Sequence, residues 1–285
     1  MTTAAVSPAR GTALAAWSAT LTVLAWLLMA VGGFVRASES GLGCPDWPAC
    51  HGRLVAGGHH ALIEEIHRWI ATVLILGIAG LLFAAWRDRA LRRPLLVVAG
   101  LLAVQVVLGG VTVLLNNVSW TVVAHYGTAA LLVGSLAFVS VRLAPPAAAG
   151  RASPRLVAAF GGLVFVLLLI GSTVATTDSH MACGHGFPLC NGSLTPALDH
   201  HVALNLTHRV WAGATLLVAV LVWARTHHPV ALAVLGLFVV QAAIGAAVVG
   251  VGENTAIEVA HSATASLTWL ATASLFAVTR STMRR

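Results

Sequence analysis

The stretch PLLVVAGLLAVQVVLGGVTVLL, at residues 94–115, carries no charged side chain. It is long enough to cross the hydrocarbon core of a bilayer as an α-helix, which takes about 20 residues. Backbone N–H and C=O groups find no water in that core, and a helix satisfies them because its own groups bond to one another. The stretch is therefore predicted to be a transmembrane helix.

Seven further apolar runs of similar length lie at roughly 13–35, 64–86, 120–141, 156–176, 204–224, 229–251 and 257–278. Over the 285 residues, 58% are hydrophobic and 9% are charged, whereas charged residues make up about 25% of an ordinary soluble domain. This composition excludes a soluble α/β enzyme, a disordered chain and a nucleic-acid-binding domain, because so little charge cannot cover so much apolar surface. The predicted fold class is an all-α integral membrane protein with eight transmembrane helices.

The positive charges predict how these helices are oriented. All sixteen basic residues are arginines, and twelve of them lie in one set of gaps between the apolar runs. This larger set consists of Arg10, Arg87, Arg89, Arg92, Arg93, Arg142, Arg151, Arg155, Arg225, Arg280, Arg284 and Arg285. The opposite set consists of Arg36, Arg53, Arg68 and Arg209. Because arginine-rich loops stay on the cytoplasmic side, both termini are predicted inside a bacterial-type cell membrane, with the long loops near 36–63 and 177–203 outside.

The two halves of the chain repeat each other. Cys44 and Cys50 correspond to Cys183 and Cys190, at offsets of 139 and 140 residues. The other matched pairs, at offsets of 136 to 141 residues, are His67 with His208, Gln105 with Gln241 and His125 with His261. Each half begins inside and spans four times, so the repeats are parallel, and two pseudo-symmetric four-helix bundles are expected. The predicted domains are an N-terminal half at 1–143, a proline-rich cytoplasmic linker at 144–155 and a C-terminal half at 156–285.

Four of the thirteen histidines, His67, His125, His208 and His261, lie near the outer ends of predicted helices. They fall on the even-numbered helices, which all run from outside to inside, so the two in each half lie at a similar depth. In a four-helix bundle the second and fourth helices can face each other, and two imidazoles at one level can bind a haem iron from both faces. The spacing predicts one haem-sized site in each half.

These histidines also fit two different roles. A single histidine of this kind can be hydrogen-bonded between helices. A mononuclear zinc or iron site is the second possibility, and it would need three or four converging ligands. An ordinary dihaem cytochrome b is not favoured, because that fold places two histidines on each of two helices, whereas here each of four helices carries one.

The halves differ at an acidic position. The sequence Glu-Glu-Ile-His-Arg at 64–68 is matched by Asn-Leu-Thr-His-Arg at 205–209. Glu64 lies three residues before His67, on the same helical face, and a carboxylate there can take up a proton or stabilise positive charge. Glu64 is therefore the candidate catalytic residue. The alternative is that Glu64 and Glu65 are hydrated acids at the membrane interface.

The cysteine pairs and two arginines complete the set of candidate residues. Both pairs lie in predicted outer loops, where disulfides form, and zinc binding is the alternative. Arg68 and Arg209 directly follow histidines and either bind haem propionates or extend to the membrane interface. The expected disulfides are Cys44–Cys50 and Cys183–Cys190.

Taken together, these features resemble the haem A synthase family, membrane enzymes that oxidise haem O to haem A. The resemblance covers nearly the whole chain, with eight spans, duplicated halves and a cysteine pair in each long outer loop. It includes the Glu-x-x-His-Arg motif at 64–68 and the His-Arg pair at 208–209.

The resemblance implies a role for each site. Haem b would be held between His208 and His261, and haem O would bind as substrate between His67 and His125. The C8 methyl group of haem O is oxidised stepwise to the formyl group of haem A beside Glu64, with water as the oxygen source.

Partners are expected on the same ground. They are haem O, membrane lipid, a haem O synthase, a quinone or another electron acceptor and, in a homo-oligomer, a second copy of the chain. Nucleic acid is not among them. The alternative functions are a non-catalytic electron carrier with two bis-histidine haems and a haem transporter.

Overall fold

The computed structural model describes residues 8–53, 57–144 and 153–281. Within these ranges the chain forms eight long α-helices and one short 3₁₀ turn at Ser179–Met181. The long helices are α1 Pro8–Ala37, α2 His59–Ala85, α3 Arg89–Leu114, α4 Ser119–Leu143, α5 Pro154–Thr176, α6 His200–Thr226, α7 Pro229–Val251 and α8 Thr255–Ser281. Each helix contains one of the eight predicted apolar runs, apart from a residue or so at a run's end, so the all-helical prediction is confirmed.

Seven of the eight helices in the described ranges are long and apolar enough to cross a membrane. Helix α8 is the exception, although it has 27 residues. It is rich in serine and threonine, and several of these hydroxyl groups donate to carbonyl oxygens three or four residues earlier in the same helix. These groups are therefore satisfied inside the helix, but they lower its hydropathy.

Several helices begin before the apolar runs, because polar residues cap them. The Asp199 carboxylate accepts a hydrogen bond from the Val202 backbone N–H at 2.8 Å, at the start of α6. The Asp88 carboxylate accepts one from Ala90 N–H at 2.8 Å, at the start of α3. Such caps satisfy N–H groups that have no partner in the first turn of a helix.

The packing of the helices follows the order of the chain. Helix α1 contacts α2 and α4, and α3 contacts the same two helices. Among the second four helices, α6 contacts α5 and α7, and α8 also contacts α5 and α7. Helices α4 and α8 contact each other, α1 contacts α8 and α4 contacts α5. One continuous apolar core runs through both groups of helices and includes Leu136, Phe160 and Leu275.

Some predictions fall outside the described residues. The linker at 144–155 falls mostly on residues 145–152, and the chain ends fall on 1–7 and 282–285. The described chain resumes at Ser153, and Pro154 begins α5 in the first-turn position that proline favours.

Candidate active site

Each of the four histidines packs against a glycine on the preceding helix. A Cβ atom built on Gly32 in α1 would lie 3.3 Å from His67 Cε1 in α2, and one on Gly109 in α3 would lie 3.2 Å from His125 Cε1 in α4. The same holds in the second group of helices. There Gly171 in α5 would place its Cβ 3.1 Å from His208 Cε1, and Gly245 in α7 3.0 Å from His261 Cε1.

A Cβ atom at any of these glycines would make a tighter contact than most Cβ atoms make, so the imidazole would have to shift by a few tenths of an ångström. Gly32 and Gly171 are 139 residues apart, and Gly109 and Gly245 are 136 apart. They therefore match within the same repeat as the histidines. Gly32 and Gly171 were not among the residues singled out from the sequence, although the repeat offset is a signal that could find them.

The histidines form two pairs along the chain, His67 on α2 with His125 on α4 and His208 on α6 with His261 on α8, and each is half-buried. The two helices that carry each pair, α2 with α4 and α6 with α8, make no extended contact in the described chain. The Nδ1 atoms of His67, His125 and His208 are buried without a hydrogen-bond partner.

Larger clusters of metal-binding side chains are absent from the described ranges. No group of three or more His, Cys, Asp or Glu side chains is positioned there to hold a metal ion. A mononuclear zinc site would need three or four ligands. The described residues therefore do not offer that set of ligands.

Two glutamines contact the histidines of α4 and α8. Gln105 Nε2 lies 3.1 Å from His125 Nε2. Gln241 Nε2 lies 3.2 Å from both ring nitrogens of His261 and donates to the His261 carbonyl oxygen at 3.0 Å. In the sequence these glutamines stood out only as matched positions of the repeat. In the structure each one positions an imidazole.

Glu64 is buried, with 4% of its surface exposed. Glu65 is 3% exposed, so the alternative that these are hydrated interfacial acids is wrong. One Glu64 oxygen accepts a hydrogen bond from the Cys44 backbone N–H at 2.9 Å, and the other accepts one from Arg68 Nη2 at 2.6 Å. The carboxylate therefore joins helix α2 to the first cysteine-bearing loop.

Arg68 contacts this loop as well as Glu64. Its guanidinium donates to backbone carbonyl oxygens of the loop, which are those of Asp46 at 3.1 Å, Pro48 at 3.3 Å and Ala49 at 2.7 Å. Arg68 is therefore held by the protein on several sides.

The matching position in α6 has different chemistry. Asn205 donates from Nδ2 to the carbonyl oxygens of Ser179 at 2.8 Å and His180 at 2.9 Å, while its Oδ1 atom is buried without a partner. Arg209 donates from Nη1 to Gly186 O at 3.1 Å, and its Nη2 atom is buried without a partner. Asparagine at 205 therefore leaves Arg209 without the carboxylate that Arg68 has.

Disulfides close the two long loops. They join Cys44 to Cys50, with Cα atoms 4.7 Å apart, and Cys183 to Cys190, with Cα atoms 4.3 Å apart. All four cysteines are buried. The predicted zinc alternative would need free thiolates, and no described cysteine is free.

The first loop lies over helix α3. The Trp47 ring packs against Gly110, where an added Cβ would lie 3.0 Å from the indole. The Asp46 carboxylate accepts hydrogen bonds from the backbone N–H groups of Gly52 at 2.8 Å and His51 at 2.6 Å, and the Gly52 bond contributes most to lowering the pKa of Asp46. The loop is thereby folded against the ends of the helices next to Glu64.

An ion pair connects the two groups of helices. Arg36 at the end of α1 donates to Glu258 Oε2 in α8 at 3.1 Å and to the Ala175 carbonyl oxygen in α5 at 2.7 Å. Glu258 lies three residues before His261. The pair was not predicted, because the two residues are 222 positions apart in the chain.

Comparison with known proteins identifies the family. The model of the COX15-CtaA family, described as cytochrome oxidase assembly proteins, matches residues 15–66 and 59–273. The chain belongs to this family. Its similarity to proteins named heme A synthase confirms the predicted family.

Three such relatives cover most of the chain. The heme A synthase of Symbiobacterium thermophilum is 28% identical, over 74% of this chain and 74% of the relative. That of Shewanella oneidensis is 26% identical, over 86% and 90%. That of Geobacillus kaustophilus is 29% identical, over 86% and 85%.

Proposed function

We propose that this protein is a haem A synthase, an oxidoreductase that converts the C8 methyl group of haem O stepwise to the formyl group of haem A. Water supplies the oxygen atom. Family membership supports this function, and so do relatives named heme A synthase along most of the chain. The observation that carries it is the pair of histidines in each half, each ring set against a glycine.

His67 and His125 would hold the substrate haem O, and His208 and His261 would hold a resident haem b. Three of the four rings keep an Nδ1 atom that no protein group engages, and the glycine at each contact leaves the space beside the imidazole free of a side chain. A bound haem b supplies electron transfer, and the protein sets the ligands and the surrounding charge.

Glu64 acts as the catalytic acid or base beside the substrate. Each oxidation step at the methyl group releases protons and electrons, and a carboxylate one helical turn from His67 can take up a proton or stabilise positive charge. The Cys44 N–H and Arg68 fix both oxygens of Glu64, so the group is oriented before the substrate arrives. The electrons pass to a quinone or another acceptor.

The two groups of helices form pseudo-symmetric four-helix bundles, one per half. The contacts support this division. Each helix packs on two others of its own group of four, and the contacts between the groups are made by α1, α4, α5 and α8. The N-terminal bundle falls within 1–143, and the C-terminal bundle begins with α5 at Pro154, two residues before the predicted boundary at 156.

The protein crosses the membrane eight times. Seven helices have the required length and hydropathy, and α8 is the eighth span because it packs on α1, α4, α5 and α7. Both termini lie in the cytoplasm and both disulfide loops lie outside, as the distribution of arginines favours. The predicted protein partners are a haem O synthase and a second copy of the chain.

Coexpression with a source of haem O tests the function. Pigments extracted from the membranes should contain haem A, identified by chromatography and mass, and cells without the protein should contain haem O but no haem A. An electron carrier would hold haem b in both sites and convert nothing. A transporter would accumulate haem in vesicles without changing its absorption spectrum. Either result would overturn the proposal.

A further inference from the structure

The residues that face Arg68 and Arg209 leave the two arginines with different capacities to bind a ligand. An arginine has five N–H donors and no acceptor. The Nη atoms of Arg68 donate hydrogen bonds to Glu64 and to carbonyl oxygens of the first loop. Its positive charge is also balanced by the Glu64 carboxylate, since the two groups form an ion pair at 2.6 Å.

Arg209 has no such partner. Its Nη1 atom donates to Gly186 O at 3.1 Å and Leu189 O at 3.4 Å, and its guanidinium lies 5.7 Å from the Phe187 ring centroid. Its Nη2 atom is buried and makes no hydrogen bond, and the Asn205 Oδ1 atom one turn earlier is in the same state.

A third group of the same kind lies close to Asn205. Both ring nitrogens of His180 are buried without a partner, and the His180 backbone carbonyl accepts a hydrogen bond from Asn205. A buried N–H group without a partner loses free energy unless a ligand or a water satisfies it. Among these atoms, Arg209 Nη2 is a buried donor without a protein partner, and a ligand carboxylate can accept from it.

We propose that the exchange of Glu64 for Asn205 sets how firmly each half holds the carboxylates of its haem. In the C-terminal half, Asn205 leaves the Arg209 charge free for a haem propionate, so that haem is retained. In the N-terminal half, Glu64 neutralises Arg68, so haem enters and leaves. The inference rests on the proposed function, in which one haem is a cofactor and the other is a substrate that must depart as product.

The physical basis is competition for one guanidinium. A charge-assisted hydrogen bond between arginine and a carboxylate is among the strongest in proteins, and a side-chain carboxylate held in place excludes a ligand carboxylate. Glu64 therefore has two effects. In the proposed function it is the acid or base beside the substrate, and it also prevents Arg68 from holding the product.

The test measures haem release from the full-length purified protein. A His67→Ala/His125→Ala background confines haem b to the C-terminal half, and an excess of a haem-scavenging apo-globin makes release irreversible. In that background Asn205→Glu should speed haem b release about tenfold or more, because it costs a hydrogen bond to a charged group. Asn205→Gln is the matched control, because glutamine has the length of glutamate but no charge. This variant should release haem b at nearly the parent rate.

Two further variants keep the outcome decisive. Arg209→Gln should speed haem b release as much as Asn205→Glu does. If the Asn205→Glu protein does not accumulate in the membrane, Arg209→Gln is the variant that tests the inference. In the reciprocal His208→Ala/His261→Ala background, Glu64→Asn should slow haem release from the N-terminal half. Release of haem b at the parent rate from either C-terminal variant would overturn the inference.

The release experiment and the test of the proposed function can fail independently of each other. Release is followed with haem b by absorbance and needs no oxidation of haem O. A protein that makes haem A but is insensitive to Asn205→Glu refutes the retention mechanism alone. A protein that is sensitive to Asn205→Glu but makes no haem A refutes the synthase alone.

Discussion

The loops at 38–53 and 177–193 have matching backbones but different side-chain chemistry. Each closes with a disulfide, each has positive φ at two successive residues after the second cysteine, and each sets a serine hydroxyl against a histidine near the start of the next helix. Yet the first loop receives a carboxylate from Glu64, and the second receives the amide of Asn205. The matching loop backbones therefore hold different side-chain groups at equivalent positions, a carboxylate from Glu64 in one and an amide from Asn205 in the other.

The largest expected difference between the halves comes from the histidines themselves. His208→Ala should abolish binding of haem b, because one axial ligand of the resident haem is lost. His67→Ala should keep haem b but abolish production of haem A. Haem content per protein, from absorbance and extracted pigments, measures both.

The exposed His59 at the start of α2 offers the control. His59→Ala should change neither pigment. Loss of haem b from His67→Ala, with haem b retained in His208→Ala, would reverse the proposed assignment of the two sites.

Glu64→Gln should give the next largest effect. The amide keeps the length of the side chain but neither carries charge nor accepts a proton, so haem A production should fall about 10²-fold to 10⁴-fold while haem b stays bound. Chromatography of extracted pigments measures it. Glu253→Gln, at an exposed acid in the turn before α8, should leave production unchanged, and unimpaired production in Glu64→Gln would remove Glu64 from the mechanism.

Alanine at the four contact glycines should weaken haem binding by a smaller amount. The added methyl group would lie 3.0 Å from the imidazole in Gly245→Ala and 3.3 Å in Gly32→Ala, so the histidine must shift more in the first. Overpacking of this kind costs about 1–3 kcal/mol, and haem titration should show the larger loss for Gly245→Ala.

Gly161→Ala provides a control in the same helix as Gly171, since nothing lies within 4 Å of its added Cβ. It should bind haem normally. Equal haem affinity in the Gly245→Ala variant and the wild type would show that close approach at this glycine does not matter.

The smallest expected effect belongs to the link between the halves. Arg36 and Glu258 have side chains 35% and 19% exposed, so solvent screens the pair, and breaking it should cost about 1 kcal/mol or less. Thermal unfolding of Arg36→Gln, Glu258→Gln and the double variant gives their coupling energy. Strictly additive effects would mean that the pair does not join the halves.

Much of the architecture could be predicted from the sequence because the bilayer makes simple demands. Uncharged runs of about 20 residues must be helical there, and α5 and α7 follow their runs closely. The duplication was visible because rare residues such as His125 and His261 recur at nearly constant offsets. Hydropathy was less informative for α8, whose hydroxyl groups bond within the helix.

The details of the site were harder to predict because they depend on contacts between distant segments. The sequence shows that Glu64 precedes His67, but not that Cys44 N–H and Arg68 hold both of its oxygens. It shows Arg68 and Arg209 as equivalent, while the loop carbonyls that bind Arg68 become its neighbours only after folding. Gly32 and Gly171 carry no side chain, so only the packed imidazoles show their purpose.

A map of the intact protein loaded with haem b and haem O, at a resolution that shows both porphyrins, would decide whether paired histidines hold two haems. We expect one iron between His67 and His125 in the half that holds haem O, and one between His208 and His261 in the half that holds haem b. An iron bound by any other side chain, or imidazoles of one pair turned away from a shared porphyrin, would contradict this arrangement.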